Sequence, residues 1–275
     1  MRNDDPKTLA RHIVPLVRPS DVLFAVGPAF DGRDPWAAPQ LLLIGPGQPP
    51  RGVTATVGAM RWGTYSVAGS DPVRLGFWTS QELSAIAETV EHLALAARVP
   101  AVRAHFPRLD TGTRKLLHDL RRGEVLAGAS EAALWRERLG LDQLHVYVAA
   151  IHLRRFAARR RQAEGLLDDG DVEDAGWMLS ECGAELLAAL LATTGETNPR
   201  RHWHPRLLRL HEKTVGADEA ACVLRLLRHG PCGRDGADAI RAALWDADRL
   251  HAQILRRCPS LPDSSARSAT VARNP

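Results

Sequence analysis

Hydrophobic and polar positions change their spacing near residue 100, and this change divides the chain into two parts. Before that point, short apolar segments alternate with Gly, Pro and Asp, a pattern typical of β-strands separated by turns. The predicted strands cover residues 22–26, 41–44, 52–57, 62–67 and 73–78. An amphipathic helix over residues 5–18 precedes them. The run Thr79-Ser80-Gln81-Glu82 resembles an N-cap box for a helix over 82–97, with the acid one or two residues earlier than an ideal box requires.

After about residue 108 the pattern is almost wholly helical. A long helix over 142–167 ends in the acidic turn 168–171, and Asp171 then caps the next helix. Buried positions recur along that helix at helical spacing, at Ala175, Leu179, Cys182, Leu186 and Leu190. Gly195 fits its C-terminal end, and further helices are predicted over 205–215, 218–229 and 235–257.

These elements predict an α+β fold in which a small domain containing a sheet is followed by a helical bundle. The predicted boundaries are 1–100 for the first domain and 101–258 for the bundle, with a disordered tail over 259–275. We expect a ligand cleft between the two domains.

Composition narrows the classes of partner. The net charge is +4 and the pI is about 9.2, which permits an anionic partner. Aromatic residues do not alternate with Lys/Arg runs and no nucleic-acid-binding motif is present, so nucleic acid is not expected. No apolar run approaches about 18 residues, and the first residues are polar, so neither a membrane span nor a secretory signal is predicted. Cys182, Cys222, Cys232 and Cys258 form no CxxC pair, which favours a reduced, cytoplasmic protein.

Three segments resemble the nucleotidyltransferase superfamily that includes the aminoglycoside nucleotidyltransferases. They are VLFAVGPAFDGRDPWAAPQLLLIG, PVRLGFWTSQELSAI and LLATTGETNPRRHWHPRLLRL. The first resembles the strand–turn–strand frame of the family, with Gly27-Pro28 in place of its Gly-Ser turn. The second resembles its third acidic strand and following helix, and the third is similar to a segment between bundle helices. The resemblance spans roughly residues 10–215 and implies a mixed-sheet domain followed by a HEPN-like helical bundle.

The resemblance also implies a metal site that this chain lacks. Family members hold two divalent ions about 4 Å apart with a D-x-D pair and a third acid. The matching positions here are Ala38, Gln40 and Arg74, or Gly76 if the third strand shifts by two residues. None is acidic, so we expect a degenerate site that uses neither a metal nor a cofactor. Asp31 and Asp34 leave one alternative open, in which a shifted register restores metal binding.

Replacement of an acid by Arg74 suggests that the site holds an anion directly. Arg33 and Arg61 are further candidates for this role, since a guanidinium grips phosphate, sulfate or carboxylate in a bidentate manner. A salt bridge from Arg74 to Asp71 or Glu82 is the alternative.

Candidate acid–base residues lie in the helical part. His202 and His204 flank Trp203 in RRHWHP, and imidazole titrates near neutrality. Trp203 itself is a candidate for substrate binding. Glu181 and Glu185 lie one helical turn apart, and the resemblance implies that a base comes from this domain. The alternatives are a loop histidine beside a packed Trp203, and ion pairs between the two glutamates and the arginine-rich segment 154–161.

Three functional hypotheses follow. The first is a metal-independent protein of small-molecule metabolism, of the specialised antibiotic type, that binds an anionic substrate and promotes elimination or cyclisation. The second is an inactive nucleotidyltransferase-like protein that binds or stabilises a partner protein from the same pathway. The third is metal-dependent nucleotidyl transfer through Asp31 and Asp34.

Overall fold

The computed structural model describes residues 17–27, 40–48, 53–57, 60–65, 73–98, 109–228 and 236–258. The chain forms two compact units, Met1–Leu93 with Pro107–Leu144 and Ala94–Phe106 with His145–Pro275. The predicted helix over 5–18 lies almost wholly outside the described residues, and the predicted disordered tail lies entirely outside them.

The described part of the first unit contains a six-stranded mixed sheet. Its strands are β1 (Val22–Val26), β2 (Gln40–Gly45), β3 (Val53–Val57), β4 (Met60–Tyr65), β5 (Val73–Thr79) and β6 (Glu124–Ala127). Their order across the sheet is β3-β4-β5-β2-β1-β6. β2 and β5 are parallel, whereas the other neighbouring strands are antiparallel. The five strands predicted from the pattern are confirmed, each to within two residues at either end.

The central strands are continuous apolar runs because both of their faces are buried. One face forms a core cluster of Leu23, Ala25, Leu41, Leu43, Val73, Leu75 and Phe77. On the other face Phe24 is fully buried, and the Arg136 guanidinium lies 5.4 Å from its ring centroid. Arg136 also donates hydrogen bonds to the carbonyls of Leu120 and Gly123.

Strand β6 was not predicted, and the expectation that the chain is almost wholly helical beyond residue 108 is wrong at this point. Glu124–Ala127 pairs antiparallel with β1 and completes an edge of the sheet. A four-residue strand between Gly123 and Gly128 is too short to show a two-residue period. Because β6 pairs with β1, the helices on either side of it, α2 (Thr111–Arg122) and α3 (Ala129–Arg138), belong to the first unit.

Helix α1 (Ser80–Arg98) begins with a reciprocal capping box. The Glu82 amide donates to Thr79 Oγ1 at 3.1 Å, and the Thr79 amide donates to Glu82 Oε2 at 2.7 Å. The expectation that the acid comes too early is therefore wrong, because Thr79 is the cap residue and Glu82 stands three residues after it.

Every secondary-structure element in the described part of the second unit is a helix. Its long helices are α4 (Leu144–Asp168), α5 (Val172–Thr193), α8 (Ala217–Arg228) and α9 (Ala237–Arg257). A 3₁₀ turn (Arg201–Trp203), α6 (His204–Leu210) and α7 (Glu212–Val215) lie between α5 and α8. The Asp171 cap of α5 is confirmed by a hydrogen bond from the Asp174 amide, and Gly195 follows the helix with φ +84°.

Helix α5 is the core of the second unit. The stripe of Ala175, Leu179, Cys182, Leu186 and Leu190 is fully buried, as predicted. At Gly183 a Cβ would come within 2.9 Å of the Leu226 Cβ, so glycine permits the close approach of α5 and α8. Among the described helices, α5 alone has the length and hydropathy of a membrane span, and 72% of that apolar window is buried inside the protein.

Candidate functional site

The turn after β1 lies directly against the beginning of β2. Gly27 has φ +92°, a backbone conformation that favours glycine, and the Gln40 side chain packs over it. A Cβ at residue 27 would lie 3.2 Å from both Cδ and Oε1 of Gln40. Glycine therefore fixes the turn and makes room for the Gln40 amide.

Gln40 and Arg74 are direct neighbours in the sheet. Gln40 pairs with Arg74 between the parallel strands β2 and β5, and Arg74 pairs with Thr64 on β4. On the other side Gln40 pairs with Val26 of β1. Paired residues share one face of a sheet, so Thr64, Arg74, Gln40 and Val26 form a row on that face. Arg74 is exposed and Gln40 is half-buried.

This row does not fit a divalent cation. It contains no carboxylate, and the Arg74 guanidinium repels a metal ion while offering donors to an anion. Ala38, Asp31, Arg33 and Asp34 lie outside the described residues, so their predicted roles stay predictions. Within the described ranges, no group of three or more His, Cys, Asp or Glu side chains is placed to hold a metal ion.

Arg61 does not lie with Arg74. It pairs with Phe77 and therefore lies on the opposite face of the sheet. Its guanidinium donates to Glu82 Oε2 at 2.6 Å and lies 5.3 Å from the Phe77 ring centroid. Burial raises the pKa of Glu82, but the hydrogen bonds from Thr79 and the charge of Arg61 outweigh it and hold the pKa below its ordinary value. Arg61 thus joins β4 to α1.

The second unit contains a buried carboxylate in contact with a histidine and an arginine. Glu185 is 2% exposed and its Oε2 lies 2.5 Å from Nδ1 of His152, which is also buried. Its other oxygen accepts a hydrogen bond from the Arg201 guanidinium at 2.5 Å. Burial raises the pKa of Glu185, but the His152 hydrogen bond and the charges of His152, Arg201 and Arg155 together lower it below its ordinary value.

Arg201 extends this network toward solvent. Its second terminal nitrogen donates to Glu181 Oε2 at 3.0 Å. The Arg201 side chain is 49% exposed and that of Glu181 is 28% exposed. One guanidinium thus connects a buried and an accessible carboxylate. The predicted glutamates and the RRHWHP segment do come together, and the residue that connects them is Arg201.

The two predicted histidines have different surroundings. His204 is buried, and its Nε2 lies 3.0 Å from the Asn198 carbonyl, which can only accept, so Nε2 carries the proton. Burial lowers the pKa of His204, and the nearby positive charges of His152 and Arg201 lower it further. His202 is exposed, with its ring centroid 5.3 Å from that of half-buried Trp203.

Sequence reasoning did not single out His152 and Arg201. His152 interrupts an apolar stripe between Val148 and Phe156, each four residues away on the same helix face and each buried. A polar residue on such a buried stripe requires a partner, and that signal was present. Arg201 gave no comparable signal, because it lies beside another arginine in a basic segment.

Comparison with protein-family models and with curated protein sequences returns no match. Among solved structures, the chain is similar to a nucleotidyltransferase-like protein from Exiguobacterium sibiricum 255-15. The sequence identity is 14% and the TM-score is 0.48, with 98% of this chain and 81% of the other chain covered. The α+β fold class is defined by the sheet and the helices described above.

Proposed function

We propose that this is a metal-independent, cytoplasmic protein of small-molecule metabolism, of the specialised antibiotic type, that binds an anionic substrate through Arg74. The observation that supports it is the row of Thr64, Arg74 and Gln40 at the start of β2 and β5. At two of the positions where the family resemblance implies metal-binding acids, this row offers the Gln40 amide and the Arg74 guanidinium, and Thr64 adds a hydroxyl beside them. These groups can donate to phosphate, sulfate or carboxylate oxygens.

The chemistry proposed for this site is elimination or intramolecular cyclisation. In either reaction a bond to an anionic leaving group breaks and its electron pair departs with that group. Arg74 would stabilise the negative charge as it develops, which is electrostatic catalysis by a preorganised donor. Arg33, Asp31 and Asp34 remain proposed contributors to substrate binding.

Acid–base roles are proposed for residues of the helical unit. The reaction requires removal of a proton, and a base must be reachable by substrate. Glu181 and His202 are the accessible members of the four candidates, whereas Glu185 and His204 are buried. We therefore assign proton transfer to Glu181 or His202. Glu185 acts as a positioning residue, because it holds the Arg201 guanidinium. His204 stabilises the segment that carries Arg201 and His202 through its contact with the Asn198 carbonyl.

Calorimetry with pyrophosphate in the presence of EDTA tests the anion site. We expect binding that weakens about tenfold or more in Arg74→Ala, because one charge-assisted hydrogen bond contributes about 1.5–3 kcal/mol. Arg138→Ala is the matched control, since Arg138 is an exposed arginine of the same unit whose guanidinium lies over Trp135. Equal binding by wild type and Arg74→Ala would refute the assignment.

Calorimetry with ATP, with Mg²⁺ or with EDTA, tests the metal-dependent alternative. Binding of ATP that requires Mg²⁺ and is lost in Asp31→Asn or Asp34→Asn would favour nucleotidyl transfer. Binding that is unchanged by EDTA, and by both aspartate variants, would favour the metal-free site.

A further inference from the structure

An exposed tryptophan lies on the outer face of α9. Trp245 is 78% exposed, more than any other large hydrophobic side chain whose exposure the structure describes. Arg241 and Arg249 lie four residues before and after it, which places all three on the same face of the helix. The exposed indole is therefore flanked along the helix by two guanidinium groups.

Two aspartates hold the surrounding arginines in place. Asp246 accepts a hydrogen bond from Arg249 at 3.0 Å and lies 3.7 Å from Arg225 of the neighbouring helix α8. Asp238 accepts a hydrogen bond from Arg241 at 3.4 Å. Three guanidiniums thus face two carboxylates, and one positive charge remains in excess. We call these six residues, Arg225, Asp238, Arg241, Trp245, Asp246 and Arg249, the Trp245 patch.

We infer that the Trp245 patch docks an acidic segment of a partner protein. Tryptophan and arginine are among the residues most enriched at the centres of protein interfaces, and the patch contains one tryptophan and three arginines. Each guanidinium has five N–H donors, so those of Arg225, Arg241 and Arg249 retain donors beyond the one aspartate contact described for each. A carboxylate from a partner fits between them.

Other occupants match the patch less well. Single-stranded nucleic acids stack successive bases on several aromatic side chains, whereas the patch offers one aromatic ring. A second copy of this chain would bring two patches of the same net positive charge together, since a symmetric contact pairs a patch with itself. The charge excess therefore favours a partner of opposite sign.

Fluorescence anisotropy with a labelled twelve-residue peptide of alternating glutamate and leucine tests this inference. We expect wild type to bind it with an affinity that falls as salt increases, because the arginine contacts are exposed and screened. Binding is expected to weaken about tenfold or more in Trp245→Ala and in the double variant Arg241→Ala/Arg249→Ala. Trp177→Ala is the matched control, since Trp177 is a half-exposed tryptophan on a different helix of the same unit.

The remaining arms decide between occupants. A peptide with glutamine in place of glutamate is expected to bind at least tenfold more weakly. No binding of the acidic peptide at millimolar concentration, or equal binding by wild type and Trp245→Ala, would overturn the inference. Tighter binding of a twelve-nucleotide oligothymidylate, or a wild-type dimer in light scattering that Trp245→Ala abolishes, would overturn it in favour of nucleic acid or self-association. The anion site at Arg74 is tested separately, so either proposal can fail alone.

Discussion

Replacing Glu185 by glutamine is expected to destabilise the helical unit strongly. Glutamine keeps the volume of the side chain but removes the negative charge that faces His152 and Arg201. Removing one member of a buried ion pair costs about 3–5 kcal/mol, because the other member stays buried and uncompensated. Arg201 is half-exposed and can be solvated again, so we place the loss at the lower end of this range, about 3 kcal/mol.

Urea unfolding followed by circular dichroism at 222 nm measures this loss, since the second unit contributes most of the helix. Thermal unfolding should show a midpoint lower by about 6–12 °C, because 1 kcal/mol corresponds to about 2–4 °C in chains of this size. Glu181→Gln is the matched control. Glu181 binds the same guanidinium from a more accessible position, so its substitution should cost no more than about 1 kcal/mol.

The effect of Glu185 must also depend on pH. Its folded pKa lies below the ordinary value of 4.5, so the carboxylate contributes its full stability above that pH. This stability is lost as the pH falls through the folded pKa, and the difference between wild type and Glu185→Gln should shrink accordingly. A loss below 1 kcal/mol at pH 7, or equal losses in the two glutamine variants, would refute the reasoning.

Three further outcomes are expected. The pKa of buried His204 is lowered, so the unfolded chain binds a proton at this histidine at a higher pH than the folded chain does. The free energy of unfolding should therefore decline as pH falls below about 6.5. If His204→Asn leaves the slope of this free energy against pH unchanged in urea titrations, the assignment is contradicted. Asp110 accepts hydrogen bonds from the amides of Gly112 and Thr113 at the start of α2, so Asp110→Ala should cost about 1 kcal/mol in chemical denaturation. Burial raises the pKa of Cys182 to about 12, so this thiol should resist a disulfide reagent at pH 8 until the protein unfolds; rapid labelling of native protein would show that it is accessible.

Local patterns predicted the elements well where a single segment carries its own signal. β1 and β2 are apolar runs bounded by turn residues, and both formed as strands with β-pairing between them. Helix α5 combines an aspartate cap with an apolar stripe at helical spacing, and each of these features is found. In these cases the residues that determine the strand or helix all lie within about twenty positions of one another. The local sequence is therefore enough to predict the element.

Contacts between distant segments were not predictable in the same way. β6 depends on pairing with β1, about a hundred residues earlier, and its own four residues carry no periodic signal. The Glu185 network joins α4, α5 and the segment after Gly195. Arg201 donates hydrogen bonds to both Glu181 and Glu185, and the charge of Arg155, within the arginine-rich segment 154–161, also acts on Glu185. Many arginines are possible partners in this chain, and only the packing of the helices selects one of them.

The adjacency of Gln40 and Arg74 follows from the apolar residues that come after them. Leu41–Leu43 and Leu75–Phe77 pair residue by residue across β2 and β5, and both strands are buried along these positions. A shift of one residue would turn Leu41 and Leu43 away from the core face that they share with Leu75. The hydrophobic core therefore fixes the register, and the register places the first polar residue of each strand side by side. A carboxylate at either position would lie in the same row, so Arg74→Asp with Gln40→Asp changes the charge of the site while the buried residues still specify the register. Pyrophosphate binding in EDTA should be lost in this double variant, while its free energy of unfolding in urea changes by no more than about 1 kcal/mol. Retained binding would show that the anion is held elsewhere.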